Sequence, residues 1–423
     1  SAPLMSDRFA ISVYFPTTDE IGAAADGSAT QTIALGHTDG ISATADHIYV
    51  SDGPHGVSAW KITDAAGYPT DAVHLVANTL QDEYPELVGG ELIYPASHTV
   101  RNIIDPSGQF TWALCVGNGM RRVPISGVEA GLGQVGAPLL VKLHIEDSFE
   151  HNADWGVVKT FNYQDAAYDV EFVGNLAFVA DGSNGLTVYD VSKDPTNANS
   201  GFFVGNIGYN QGSPLLGTAS GVELWNDAAT GRRYAVIACG PNGVGVVDVT
   251  DVNAMRIVKV FEPIKYENDE LGSADGQAID VEVIGDKAYF TYDSFGVLCY
   301  AMSDLIAPVA DGVDPTVLFK KALDGTIIYD VRPAFLGRFK LQAVPGYEDV
   351  AGGAVKMAYT QVGGKLMQYV AFGEAGLVKI DYTDPANPLF VAMKNTAAEC
   401  VAVAVANGRL YVGDHGGGLV LFK

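Results

Sequence analysis

Between Ala167 and Ile207 the chain reads AYDVEFVGNLAFVADGSNGLTVYDVSKDPTNANSGFFVGNI, and variations on this plan run along most of its 423 residues. Self-similarity of this kind constrains the fold more than any single motif. A unit this small cannot bury its apolar face alone and has to pack on its neighbours. Four strands are legible in it: DVEFV, a Gly174-Asn175 turn, LAFVA, the turn DGSNG, LTVYDV, a polar Asp-Pro turn, and GFFVGNI. Apolar residues alternate within each run, and turn-forming residues separate the runs, as in antiparallel hairpins.

The other units are more degenerate. GISATADHIYVSDGPHGVSAWKITDAAG leads to AVHLVANT, and TVRNIIDPSGQFTWALCVGNGMRRVPISG to LLVKLHIED. SGVELWND, RRYAVIACGPNGVGVVDVTD and RIVKVFE make a fourth unit; IDVEVIGDKAYFTYDSFGVLCYAMSD and TVLFKKA make a fifth. AVKMAYT, KLMQYVAFGEAGLVKIDYTDPANP and LFVAMKN follow, and the last unit, ECVAVAVANGRLYVGDHGGGLVLFK, has only three strands. TQTIALG, Thr30 to Gly36, is a spare strand near the other end. The expected fold is therefore all-β: a closed seven-bladed β-propeller of four-stranded blades, its last blade completed by residues 30–36. Such closure hides an exposed strand edge. Blades are expected to start near 40, 99, 168, 220, 279, 354 and 399. An arm of residues 1–29 precedes them, and a long insertion occupies 322–353.

A glycine opens every third strand: Gly56, Gly119, Gly185, Gly243, Gly296, Gly376 and Gly418. Its fixed place predicts a turn that needs positive φ. Four residues earlier stand Asp52, Cys115, Asp181, Cys239, Tyr292 (with Asp293 next), Phe372 and Asp414. The aspartates are expected to cap their own turns.

GLTVYDVSKDP, GVGVVDVTD and GLVKIDYTDPANP resemble LVIVD repeats, in their glycine, their alternating apolar strand and their Asp-Val-(Ser/Thr)-Asp-Pro turn. The resemblance implies a propeller of the kind found in secreted or surface proteins of bacteria and archaea. It carries over no catalytic residue. Blades 3, 4 and 6 match well, 1, 5 and 7 in part, and 2 poorly.

Fifty acidic against twenty-five basic residues, net −25, argue against a nucleic-acid partner and against an anionic membrane surface. No apolar run approaches the roughly 20 residues of a membrane span. A chain beginning at Ser1 is expected to have been processed, so a secreted, periplasmic or cell-surface location after signal-peptide removal is the expectation. Four cysteines, Cys115, Cys239, Cys299 and Cys400, fall in four units without CxxC spacing and read as free, buried thiols.

First strands of a propeller line its channel. Aligning the units puts Ser42, Arg101, Glu171, Glu223, Glu282, Lys356 and Ala402 at one facing position, with Asp169 and Asp280 two residues earlier on the same side. The acids and bases partly compensate, which reads first as a structural ion network and second as a ligand or cation ring. The connections 80–97, 207–220, 262–278 and 322–353 are long and aromatic and are expected on one face. His37, His55, His98 and His415 fall toward that face, with Asp39, Asp52 and Asp414 among them. Imidazoles beside carboxylates suit a transition metal, and acidic turns suit calcium, although no metal-site spacing signature is present. No cofactor is predicted beyond such a divalent metal.

The leading functional reading is a non-catalytic, extracytoplasmic binding or assembly module that takes a protein partner or a small ligand on its loop face. The reading leans against an enzyme and nominates no catalytic residue, because GxSxG, P-loop, HExxH and CxxCH patterns are all missing. The alternatives are a metal-dependent hydrolase, lyase or lactonase on the same face, and a structural subunit of a surface filament or layer. RFAISVYFP, residues 8–16, has no place in the seven-blade count; it offers a strand for self-assembly or, more simply, packs along its own blade.

Overall fold

In a computed structural model, the described residues are 12–14, 38–52, 57–78, 86–88, 91–93, 98–108, 110–116, 119–124, 141–143, 167–193, 201, 203–210, 213–263, 276–324, 326–415 and 418–422. They form an all-β protein whose sheets are four-stranded antiparallel propeller blades. Among the described residues there are seven such sheets, numbered here in chain order.

The chain divides into two compact units, residues 1–147 with 356–379 and 391–423, and residues 148–355 with 380–390. In the first unit, sheet 1 runs through Thr38–Ala43, His47–Asp52, Val57–Thr63 and Pro69–Asn78. Sheet 2 runs through His98–Ile104, Phe110–Val116, Gly119–Pro124 and Val141–Leu143. Sheet 7 contains Glu399–Ala406, Arg409–His415 and Gly418–Phe422. Its apolar face packs as Cys400, Val403, Leu410, Val412, Val420 and Phe422 with Tyr369, Ala371 and Leu377 of sheet 6.

The second unit holds sheets 3 to 5. Sheet 3 is Asp169–Val173, Leu176–Ala180, Leu186–Asp190 and Phe203–Ile207. Sheet 4 is Gly221–Asp227, Arg232–Ala238, Val244–Asp248 and Arg256–Phe261. Sheet 5 is Asp280–Ile284, Lys287–Thr291, Val297–Ala301 and Gly337–Phe339. Sheet 6 is Lys356–Val362, Lys365–Ala371, Leu377–Asp381 and Leu389–Lys394. Between sheets 4 and 5, Tyr234, Val236, Val246, Phe290, Leu298 and Tyr300 interlock. Tyr300 meets Phe261 edge-on at 5.7 Å and Phe290 at 5.9 Å, the geometry aromatic quadrupoles favour.

Two outer strands depart from the sequence reading. The fourth place in sheet 7 belongs to Ser12–Tyr14, with Ser12 opposite Leu421 and Tyr14 opposite Leu419. An N-terminal strand does complete the last sheet, but residues 30–36, expected there, lie outside the described residues. Residues 12–14, from the segment that had no place in the blade count and was expected to pack along its own blade, supply the strand. Both segments alternate apolar residues, and an outermost strand presents little else to choose by. The fourth strand of sheet 5 is Gly337–Phe339, not the expected TVLFKKA. Phe319–Lys321 pairs instead with Ile327–Asp330 in a hairpin inside the connection. The inserted chain therefore lies between the third and fourth strands, at 302–336, and the link onward to sheet 6 is 340–355.

Candidate functional site

The end of each sheet that carries the turn between its second and third strands is built one way in sheets 3, 4, 5 and 6. In sheet 4, Cys239 N–H donates to Gly243 O at 2.7 Å and Asn242 N–H to Cys239 O at 3.0 Å. Gly185, Gly296 and Gly376 close the equivalent turns. Gly243 has φ +83°, and a Cβ there would stand 2.4 Å from Phe261 O at the end of the fourth strand. Positive φ and close backbone approach together explain the glycine that opens the third strand in sheets 3, 4, 5 and 6.

Each of these turns is also clasped by a reciprocal pair of backbone hydrogen bonds to a residue further along the chain. Gly182 pairs with Ala219, Gly240 with Ala278, Asp293 with Ala354 and Gly373 with Cys400. The N–H···O distances run from 2.8 to 3.1 Å. The clasp residue has positive φ in all four, and Asp293 at φ 42° is the one that is not glycine. Sequence reading missed this position, although a glycine two or three residues before the anchor glycine was available as a signal.

Connections at this end are held down by their own residues. In 207–220, Leu216 is fully buried in the core between sheets 3 and 4, and Tyr209–Asn210 pairs with Ser213–Pro214. In 340–355, Gln342 Nε2 donates to Val350 O and Gly352 O at 3.1 and 3.2 Å. Glu86–Val88 and Glu91–Ile93 form a short hairpin within 80–97.

The first strands of sheets 3, 4 and 5 run in equivalent register. Asp169, Gly221 and Asp280 stand opposite the last residue of the second strand, and Glu171, Glu223 and Glu282 stand two residues on. Asp169 and Asp280 are each 1% exposed. Asp169 accepts from Val222 N at 3.0 Å, which ties sheet 3 to sheet 4. Gly221 takes the place of an aspartate because a Cβ there would lie 3.0 Å from Asp280 Cα. The three glutamates are half-buried at one level of the second unit.

The facing ring assigned from sequence mixes two levels. By cross-strand partner, Arg101 (opposite Leu114), Lys356 (opposite Ala371) and Ala402 (opposite Gly413) match Asp169, not Glu171. Ser42, opposite Tyr49, does match Glu171. The residues at the glutamate level in sheets 2, 6 and 7 are Ile103, Ala358 and Ala404. Bulges at Thr38/Gly40, Thr99/Arg101 and Cys400/Ala402 shift the register in sheets 1, 2 and 7, whereas the ladder of Lys356 in sheet 6 has none, and there alignment by residue type miscounts an unbroken strand. Ser42 is engaged structurally. It donates to Asn102 Oδ1, and Asn102 Nδ2 donates to Tyr49 O at 3.1 Å and Ser51 Oγ at 2.9 Å.

Of the residues nominated for a metal, His37 and His55 lie outside the described residues, and Arg101, His98 and Asp52 are placed by backbone alone. Asp414 is fully buried and accepts Ala398 N on both carboxylate oxygens, at 3.1 and 3.0 Å. Asp181 is likewise buried and accepts Thr187 Oγ1 at 2.6 Å, within its own turn. Asp181 thus bonds to groups in and beside its own turn, whereas the donor to Asp414 lies sixteen residues earlier, before the first strand of sheet 7 and outside the turn that Asp414 was expected to cap. His415 Nδ1 lies 2.9 Å from Asp39 Oδ1, one of the carboxylates expected near the histidines. Among the described residues no three His, Cys, Asp or Glu side chains are grouped to hold a metal ion. Cys239, Cys299 and Cys400 are free and buried. Burial pushes all three thiols up, Cys299 to about 12, so they stay protonated at neutral pH.

The LVIVD repeat model matches residues 166–200 and 367–396. These segments span most of sheet 3 and the last three strands of sheet 6. Their Asp-x-(Ser/Thr) turns are bonded alike: Asp190 Oδ1 accepts Ser192 N at 3.1 Å and Asp381 Oδ1 accepts Thr383 N at 2.9 Å. Sheet 4 repeats the device, with Asp248 Oδ1 accepting Thr250 N at 3.1 Å and Thr250 Oγ1 at 2.6 Å. Among curated proteins, none matches the chain. Solved structures similar to it include U3-55K, with TM-score 0.55, 10% identity and 92% of this chain on 95% of that one. The RRP9 WD40 repeats are similar at TM-score 0.56, 9% identity and 92% on 94%. The WD40 β-propeller domain of Doa1 is similar at TM-score 0.51, 10% identity and 92% on 93%. At such identities the likeness is one of fold, and the fold is the propeller. A propeller carrying this repeat suggests a binding or scaffold module. No helix among the described residues is long and apolar enough to cross a membrane.

Proposed function

We propose that this protein is a non-catalytic, extracytoplasmic binding module that takes a protein or small ligand on the end of its sheets bearing the clasped turns. The observation that carries this reading is the clasp. Four turns are locked by paired backbone bonds to residues further along the chain, and the 207–220 connection is anchored by a buried leucine. A surface ordered in advance does not have to lose that conformational freedom on binding. The level of Glu171, Glu223 and Glu282 adds negative charge, which suits a basic group on the ligand. The acidic composition and the LVIVD repeats support a location outside the cytoplasm. The test is affinity capture from cell-surface extract by the wild type and by a variant with residues 209–215 replaced by a short turn. Capture of one protein by the wild type and its loss in the variant is expected. Equal capture by both would remove the loop end from the proposal.

The His415–Asp39 pair favours a second reading, a metal-dependent activity on this end. A carboxylate on Nδ1 is how ligating imidazoles are held, with Nε2 turned to the metal. This reading requires stoichiometric divalent metal in purified protein by elemental analysis, and its loss on joint replacement of His55 and His415.

A further inference from the structure

We draw no further inference here: the strongest candidate, the exposed apolar face of the hairpin Phe319–Lys321 and Ile327–Asp330 in the insertion of sheet 5, carries nothing, because Asp324 and Asp330 balance Lys320 and Lys321, Asp330 already holds Arg332, and nothing in the structure shows what covers it.

Discussion

Sheets 4 and 5 lie side by side in one unit and follow one rule at their inner strands and another at their outer ones. Their first strands pair with their second strands in equivalent register, and their second-to-third turns are clasped by the same two backbone bonds. In sheet 4 the third strand reaches the fourth through residues 249–255, a turn capped by Asp248 and Asp251. In sheet 5 the same link is 302–336, and the fourth strand is three residues long. The added chain closes an edge of its neighbour. Val260 N–H in the outermost strand of sheet 4 donates to Pro315 O at 2.8 Å, and Lys259 Nζ donates to Asp304 O at 2.7 Å. Inner strands are contacted on both sides, so a change there must satisfy two neighbours at once. Outer strands meet one neighbour and solvent, so length and sequence drift there until something covers the edge.

The sharpest way to break this comparison is at the anchor glycine. Gly243→Val places a branched side chain at φ +83° and against Phe261 O, and should destabilise the protein by about 3 kcal/mol or more. Gly231→Ala, at φ +70° with open space around it, should lose only about 1 kcal/mol. Denaturant midpoints at constant slope would read both, and equal losses would remove close packing as the reason for the glycine.

Asp169→Ala removes the acceptor of Val222 N between sheets 3 and 4 and leaves a buried donor unmet. A loss of about 2 kcal/mol is expected from the same denaturation measurement. A neutral result would mean that the carboxylate does not couple the two sheets.

Asp293→Gly should move the other way. It gives the clasp of sheet 5 the residue found in sheets 3, 4 and 6 and relieves positive φ, for a gain of up to about 1 kcal/mol. A clear loss of thermal stability would show that the Asp293 side chain holds the 340–355 connection.

The covered edge is tested by pH. Burial pulls the Lys259 amine down from 10.5 to about 8. Above pH 8 the folded chain has released that proton, while the unfolded chain keeps it until about 10.5. The stability of the wild type relative to Lys259→Met should therefore rise between these values. Cys239 and Cys400 act oppositely, because the folded chain keeps thiol protons that the unfolded chain loses near pH 9. Both proteins contain these thiols, so the difference isolates the lysine. A pH-independent difference would place the amine in water.

Much of the candidate site was legible because its residues obey local rules. The turn glycine is fixed by φ and by one nearby carbonyl, and Asp181 is fixed by hydroxyl and amide groups within its own turn. Glu171, Glu223 and Glu282 were found at one level because no bulge interrupts their strands. Arg101, Lys356 and Ala402 were placed a level out, since only the ladder of cross-strand partners sets that count. Asp39 was expected near His415, 376 residues away, but no local rule picks it from Asp52 and Asp414 as the partner.

The sequence by itself determined the four-stranded unit, its repetition, the glycine of each anchor turn and the completion of the last sheet by an N-terminal strand. Each follows from backbone sterics and side-chain alternation within a few residues. Tertiary structure alone decided that Ser12–Tyr14 fills that last place, that Gly337–Phe339 ends sheet 5, and that the chain between covers a neighbouring edge. Those are choices among strands of similar pattern far apart along the chain. They are settled by which edge is open and which side chains fit against it, and neither is written in the segment itself.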